Sequence, residues 1–173
     1  MIYLQCTRPS LSELALRRRD LQPAPDAISL LGNWTLNLIA VGDRRAYLFM
    51  SDRSLLSFVL LEGQRTLKMQ ELPHFFEHGV IQLFEFMKFP KSAAALMRED
   101  ADVIVLTRTQ DRSILATMNA VASDYQLRVN SAGGLGACDL TRIILAVNDT
   151  PRRRLGYATA KETSLALLLH GAA

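Results

Sequence analysis

The stretch Asp102-Val-Ile-Val-Leu-Thr-Arg-Thr-Gln-Asp-Arg-Ser-Ile-Leu-Ala-Thr-Met-Asn119 reads as a buried strand, a polar turn and the start of a helix. Val103 to Leu106 is an unbroken apolar run with β-branched residues, which suits a strand covered on both faces. Thr107 to Ser113 holds no apolar residue. Asp111 is placed to cap the following helix, its carboxylate accepting the free N–H groups of the first turn. Ile114, Leu115, Met118, Val121, Ala122 and Tyr125 then recur at helical spacing. Ligands of α/β folds favour the ground beyond the carboxyl ends of strands, where helix N-termini add donors and positive potential. Thr107, Thr109, Asp111, Arg112, Ser113 and Asn119 gather there and are binding candidates. Arg112 opposes the helix dipole, so Asp111 or a bound anion has to offset it.

Upstream, Met1 to Cys6 is an N-terminal strand, and Ser10-Leu-Ser-Glu13 has the form of a capping box opening a short helix. That helix is expected to end in Arg17-Arg-Arg19, where positive charge complements the dipole. Trp34 to Val41, Arg45 to Met50 and Ser54 to Leu61 are rich in β-formers and separated by turn residues, which predicts an antiparallel meander. Asn37 interrupts an apolar strand face. Once buried it needs partners for both ends of its amide, as a hydrogen-bond hub or as part of a site. Leu72 to Phe89 reads as the most apolar helix, with Pro73 near its first turn and a stripe of Leu72, Phe76, Val80, Leu83 and Met87. Phe75 and Phe84 lie on it as candidate interface residues, and Gly79 permits close packing. Ser92 to Arg98, Leu140 to Val147 (capped by Asp139) and Ala160 to Leu169 complete the helices. The whole, residues 1–173, is expected to be a single α+β domain with a mostly antiparallel sheet of about five strands and helices packed on it.

The 173 residues are 49% hydrophobic and 21% charged, slightly apolar for a soluble monomer; a protein partner or a homodimer would absorb the excess. No apolar run reaches membrane-spanning length and no leader signal is present, so a cytoplasmic protein with no membrane contact is expected. The net charge of +3 comes from 16 Arg and 4 Lys. Arg favours bidentate phosphate and carboxylate contacts. The two Arg triplets, 17–19 and 152–154, with Arg44, Arg45 and Arg53 could form a nucleic-acid-binding face if they converge. His74-Phe-Phe-Glu-His78 matches an inverted zinc-protease pattern but lacks a third ligand. No metal or cofactor is therefore expected. The phosphate-loop, dinucleotide and nucleophile-elbow patterns are absent, and Cys6 and Cys138 have no histidine near them in sequence.

Several short pieces in order resemble a bacterial domain-of-unknown-function family. They are Ile2-Tyr-Leu-Gln-Cys-Thr7, Gly32-Asn-Trp-Thr-Leu-Asn-Leu38, Asp43-Arg-Arg45 with Leu48-Phe-Met50, Thr107-Arg-Thr-Gln-Asp-Arg-Ser113 through Asn119, and Leu155-Gly-Tyr157. Members of that family stand alone or at the N-terminus of proteins similar to a plasmid open-reading-frame-three protein and are linked to mobile elements. The resemblance implies a shared α+β domain and a shared importance of Trp34, Asn37, Arg44, Arg45, Asp111, Arg112, Ser113 and Asn119. It carries no activity. The expected function is a non-enzymatic binding or interaction module of mobile-element or phage-conflict type. The alternatives are an anion or nucleic-acid binder using Arg44, Arg45 and the 107–113 turn, and a small hydrolase or nuclease using Asp111 with Arg112, which lacks a second carboxylate.

Overall fold

The computed structural model describes residues 1–63 and 67–170. Five strands, β1 (Ile2–Cys6), β2 (Trp34–Val41), β3 (Arg44–Ser51), β4 (Ser57–Leu61) and β5 (Ile104–Arg108), form one sheet in the order β4-β3-β2-β1-β5. The β2–β3–β4 meander is antiparallel, as its turn residues predict. Gly42 makes the β2–β3 turn at φ 60°, the left-handed region that L side chains avoid. β1 then joins parallel to β2 on one side and to β5 on the other. The sheet is thus mixed, with its longest ladders antiparallel, and the α+β class expected from the sequence is the one observed.

Six helices cover it: α1 (Arg8–Glu13), α2 (Leu72–Phe86), α3 (Lys91–Ala101), α4 (Arg112–Ser131), α5 (Leu140–Asn148) and α6 (Ala160–His170). Successive strand residues point to opposite faces, so β2, β3 and β4 each feed two cores, while β1 and β5 feed only the first. Phe49 joins Trp34, Phe58 and Phe76 in an aromatic cluster with α1, α2 and α3. Trp34 meets Phe76 edge-on, with ring centroids 5.0 Å apart. Leu48 and Met50 face the other way, toward Ile114, Met118, Val121 and Tyr125 of α4 and Val147 of α5.

Some boundaries depart from the sequence reading. Ser10 does not cap a helix: Thr7 holds the N-cap position, Pro9 sits in the first turn, and Ser10 Oγ donates to the carbonyls of Thr7 (2.9 Å) and Leu36 (3.0 Å). A proline's fixed φ starts the helix three residues early, and a tertiary hydrogen bond takes the serine away. The helix ends at Glu13, so the Arg17–Arg19 triplet does not complement its dipole. Residues 18–20 form a separate 3-10 turn, in which Arg17 pairs with Asp20 at 2.7 Å. β5 is an edge strand and is only half-buried, with Val103 lying just outside it and 43% exposed. α2 ends at Phe86, and Phe84 is buried against Phe89 with ring centroids 5.0 Å apart. That burial removes Phe84 as an interface residue. Phe75 (40% exposed) and Phe86 (53%) are the solvent-facing phenylalanines of the helix.

Asn148, at the end of α5, is fully buried and treats β4 as a neighbouring strand would. Its Oδ1 accepts from Ser57 N (2.8 Å), and its Nδ2 donates to Ser57 O (2.7 Å) and Ile144 O (2.8 Å). Burial pushes the Tyr125 phenol up, keeping it protonated, and its hydroxyl also donates to Ser57 O at 3.2 Å. Asn148→Ala is therefore expected to cost about 2 kcal/mol, since the Ser57 N–H is left buried without an acceptor. Urea unfolding checks this; an unchanged midpoint would show that the edge strand does not depend on the amide.

Candidate functional site

Three adjacent strands, each read to just past its end, carry a polar residue, any residue, then a second polar residue: Gln5 on β1 with Thr7 one residue beyond it, Thr35 and Asn37 on β2, and Thr107 on β5 with Thr109 one residue beyond it. The parallel register sets Gln5 beside both Thr35 and Thr107. Period two then sets Thr7 beside Asn37 and Thr109 on the same face. The result is two polar rows crossing the sheet beneath the start of α4. Buried polar groups are normally hydrogen-bonded, so each row has to be accounted for.

The lower row leans on Asp52, in the turn between β3 and β4. Thr35 Oγ1 donates to Asp52 Oδ1 at 2.7 Å, and the Gln5 amide donates to Oδ2. Burial pushes the Asp52 carboxyl up to about 7; the Thr35 hydroxyl lowers it, Asp111 raises it and Arg154 lowers it. Asp52 borders a cavity of about 360 Å³ together with Arg108 and Arg154. Thr107 is 2% exposed, and its hydroxyl has no partner among the described residues.

The upper row opens into a larger cleft of about 440 Å³ at the carboxyl ends of β1 and β5. β1 runs on into α1 and β5 into α4, so the chain diverges here, as at the ligand-binding crevices of open sheets. Thr7 Oγ1 donates to Asn37 Oδ1 at 2.6 Å. The Asn37 Nδ2 has no partner among the described residues. Thr109 lines the cleft, is 8% exposed, and has an Oγ1 that is buried and unpartnered. Arg8 from α1, Arg18 from the 3-10 turn and Arg112 from α4 stand around these amides and hydroxyls. None of the three arginines is in an ion pair among the described residues. Apolar wall comes from Cys6, Pro9, Leu11 and Leu115. Burial pushes the Cys6 thiol up to about 12, against a smaller lowering by Ser10, so it stays protonated.

Four of the sequence candidates, Asn37, Thr109, Arg112 and Asn119, meet in this cleft. The others lie elsewhere. Asp111 caps α4, its Oδ1 accepting from Ser113 N (2.7 Å) and Ile114 N (3.2 Å). Ser113 Oγ accepts from Arg154. Arg44 donates to the Glu62 carbonyl, and Arg45 pairs at 2.8 Å with both Glu13 and Glu62, first Glu62 and then Glu13 raising its guanidinium. Arg152 is held by Asp124 at 2.7 Å. Of the two Arg triplets, Arg17 and Arg19 lie beside Asp20, Arg152 beside Asp124 and Arg154 beside Ser113, while Arg18 lines the cleft. Sequence reasoning missed Thr7 and Arg8; it held Arg18 only as part of a triplet for a nucleic-acid face, and Gln110 only within the 107–113 turn. The repeated polar pairs were the signal that could have found Thr7.

The family model described as Domain of unknown function (DUF6933) matches residues 3–163, and the chain belongs to that family. No curated protein and no solved structure matches it. Among the described residues no helix is long and apolar enough to cross a membrane.

Proposed function

We propose that this member of the DUF6933 family is a non-enzymatic binding module that takes a small anionic ligand, phosphate- or carboxylate-bearing, in the cleft beyond β1 and β5. One observation carries the reading. The cleft is lined by Arg8, Arg18 and Arg112, with no ion pair among the described residues for any of them, and no carboxylate is among its lining residues. Unpaired guanidinium groups around a concave site favour anions by charge and by bidentate geometry. The lining offers arginines, amides, hydroxyls and a protonated thiol, which bind and orient but do not make a general acid–base pair. Asp111 is occupied as a cap, and this argues against the hydrolase alternative built on it.

Isothermal titration with inorganic pyrophosphate, at low and high salt, tests this. Arg112→Ala and Arg18→Ala are each expected to lower affinity about tenfold or more, because a hydrogen bond to a charged group contributes about 1.5–3 kcal/mol. Both side chains are exposed, so the melting temperature should move by no more than about 2 °C. Affinity unchanged in both variants, or no binding by the wild-type chain, would sink the proposal.

A further inference from the structure

We infer that the ligand of this cleft is a mononucleotide, its phosphate held by the arginines and its base seated on the apolar wall beneath the side-chain amides. The inference rests on the anion-binding reading and narrows it. Arginines alone would suit any phosphate, so the rest of the lining decides the class.

The cleft has an apolar side, where Leu11 and Leu115 offer a surface for a flat ring. Hydrogen-bonding capacity beside it comes from the amides of Asn37, Gln110 and Asn119. Among the described residues the side chains of Gln110 and Asn119 have no partner, and Asn37 has only its oxygen engaged. An amide presents a donor and an acceptor side by side, the pattern that a nucleobase edge also carries; paired amide-to-base contacts are a common way of reading adenine. A sugar phosphate without a base would leave the apolar wall bare, and hydroxyl-rich ligands are commonly held by carboxylates, which the lining lacks. Thr109, more than nine-tenths buried, lines the cleft, and its hydroxyl has no partner among the described residues. A ligand atom is one group that could satisfy it. About 440 Å³ is within the range of small-molecule sites, roughly 300–1,000 Å³.

The same chemistry could come from a free nucleotide or from the 5′-terminal nucleotide of a strand. The test is titration of the full chain with each of the four ribonucleoside 5′-monophosphates, ribose 5-phosphate, inorganic phosphate, the unphosphorylated nucleosides and a short 5′-phosphorylated oligonucleotide. At least one nucleotide is expected to bind about tenfold more tightly than ribose 5-phosphate or phosphate. Asn119→Ala, an exposed position, should remove most of that preference, lowering nucleotide affinity several-fold more than affinity for inorganic phosphate. Tighter binding of the mononucleotide marks a free metabolite as the source, and tighter binding of the oligonucleotide marks a strand end; both support the inference. Equal affinity for phosphate and every nucleotide would overturn it and leave the anion reading standing. No binding of any phosphate compound would overturn both.

Discussion

Gly79→Ala is expected to destabilise the chain by about 3 kcal/mol, the upper part of the range for overpacking a filled core. At an unconstrained helix position the same change stabilises by up to about 1 kcal/mol, because glycine is a poor helix former. The sign is therefore diagnostic. A Cβ at Gly79 would stand 2.3 Å from Phe58 Cε2 and 2.8 Å from its Cζ. Phe58 is tightly held: it is 3% exposed and stacked on Phe49 at 4.8 Å with planes 10° apart, Trp34 and Phe76 lie within 6.3 Å, and the space open to it is a groove of about 280 Å³ that it lines together with Gly79 and Leu83. Side chains packed at crystal-like density transmit such a clash into strain on α2 and β4 together. A fall of roughly 6–12 °C in melting temperature follows for a chain of this size. Phe58→Leu, added to Gly79→Ala, should recover part of the loss, giving a favourable coupling in a double-mutant cycle. A melting temperature that rises in Gly79→Ala alone would show that α2 does not seat against β4 in this way.

The same packing explains why part of the fold could be read from the chain and part could not. The meander is local: β2, β3 and β4 follow one another with short turns, so alternation and turn residues suffice. Asp111 and Asp139 are equally local, since a cap touches residues two or three positions on. The pairing of β1 with β5 is not. Gln5 and Thr107 stand side by side across the sheet although about a hundred residues separate them in sequence, and nothing near either one states the pairing. The candidate cleft depends on that pairing, so Asn37 and Arg112 could be suspected one at a time but not placed together. Arg45 shows the converse error. Its charge marked it for a ligand, and the partners that occupy it, Glu13 and Glu62, lie in elements whose positions relative to it are set only by the folded sheet. Val103 to Leu106 misled in another way: a run that reads as buried on both faces belongs to an edge strand with only β1 beside it.

Asp52→Asn is expected to stabilise the chain at alkaline pH by about 2 kcal/mol, and to change little near pH 4. The carboxyl titrates at about 7 in the folded chain, against an ordinary value near 3.8. Burial disfavours its charged form more than the Thr35 hydroxyl favours it. Between about pH 4 and pH 7 the folded state then binds more protons than the unfolded state, so stability falls as pH rises through that window. The contribution is fully present below pH 4 and gone above pH 7. A gap of that width corresponds to at most about 4 kcal/mol, and residual solvent access to a side chain that is not completely buried makes roughly half of it a realistic expectation. Asparagine keeps a carbonyl oxygen for the Thr35 hydroxyl and carries no charge to bury; its Nδ2 is a donor, so the lower polar row holds at every pH once the Gln5 amide turns its oxygen toward it. Urea unfolding at pH 4.5, 6 and 8.5 separates the outcomes. The wild-type chain should lose stability across the series relative to the variant, whose curve flattens. Parallel curves would mean that Asp52 is already ionised in the folded chain, its charge carried by Gln5, Thr35 and Arg154. The polar rows beneath the cleft would then be an anionic floor under three arginines. In that case the affinity of the cleft for phosphate should rise in Asp52→Asn, because a buried negative charge in the adjoining polar row has been removed.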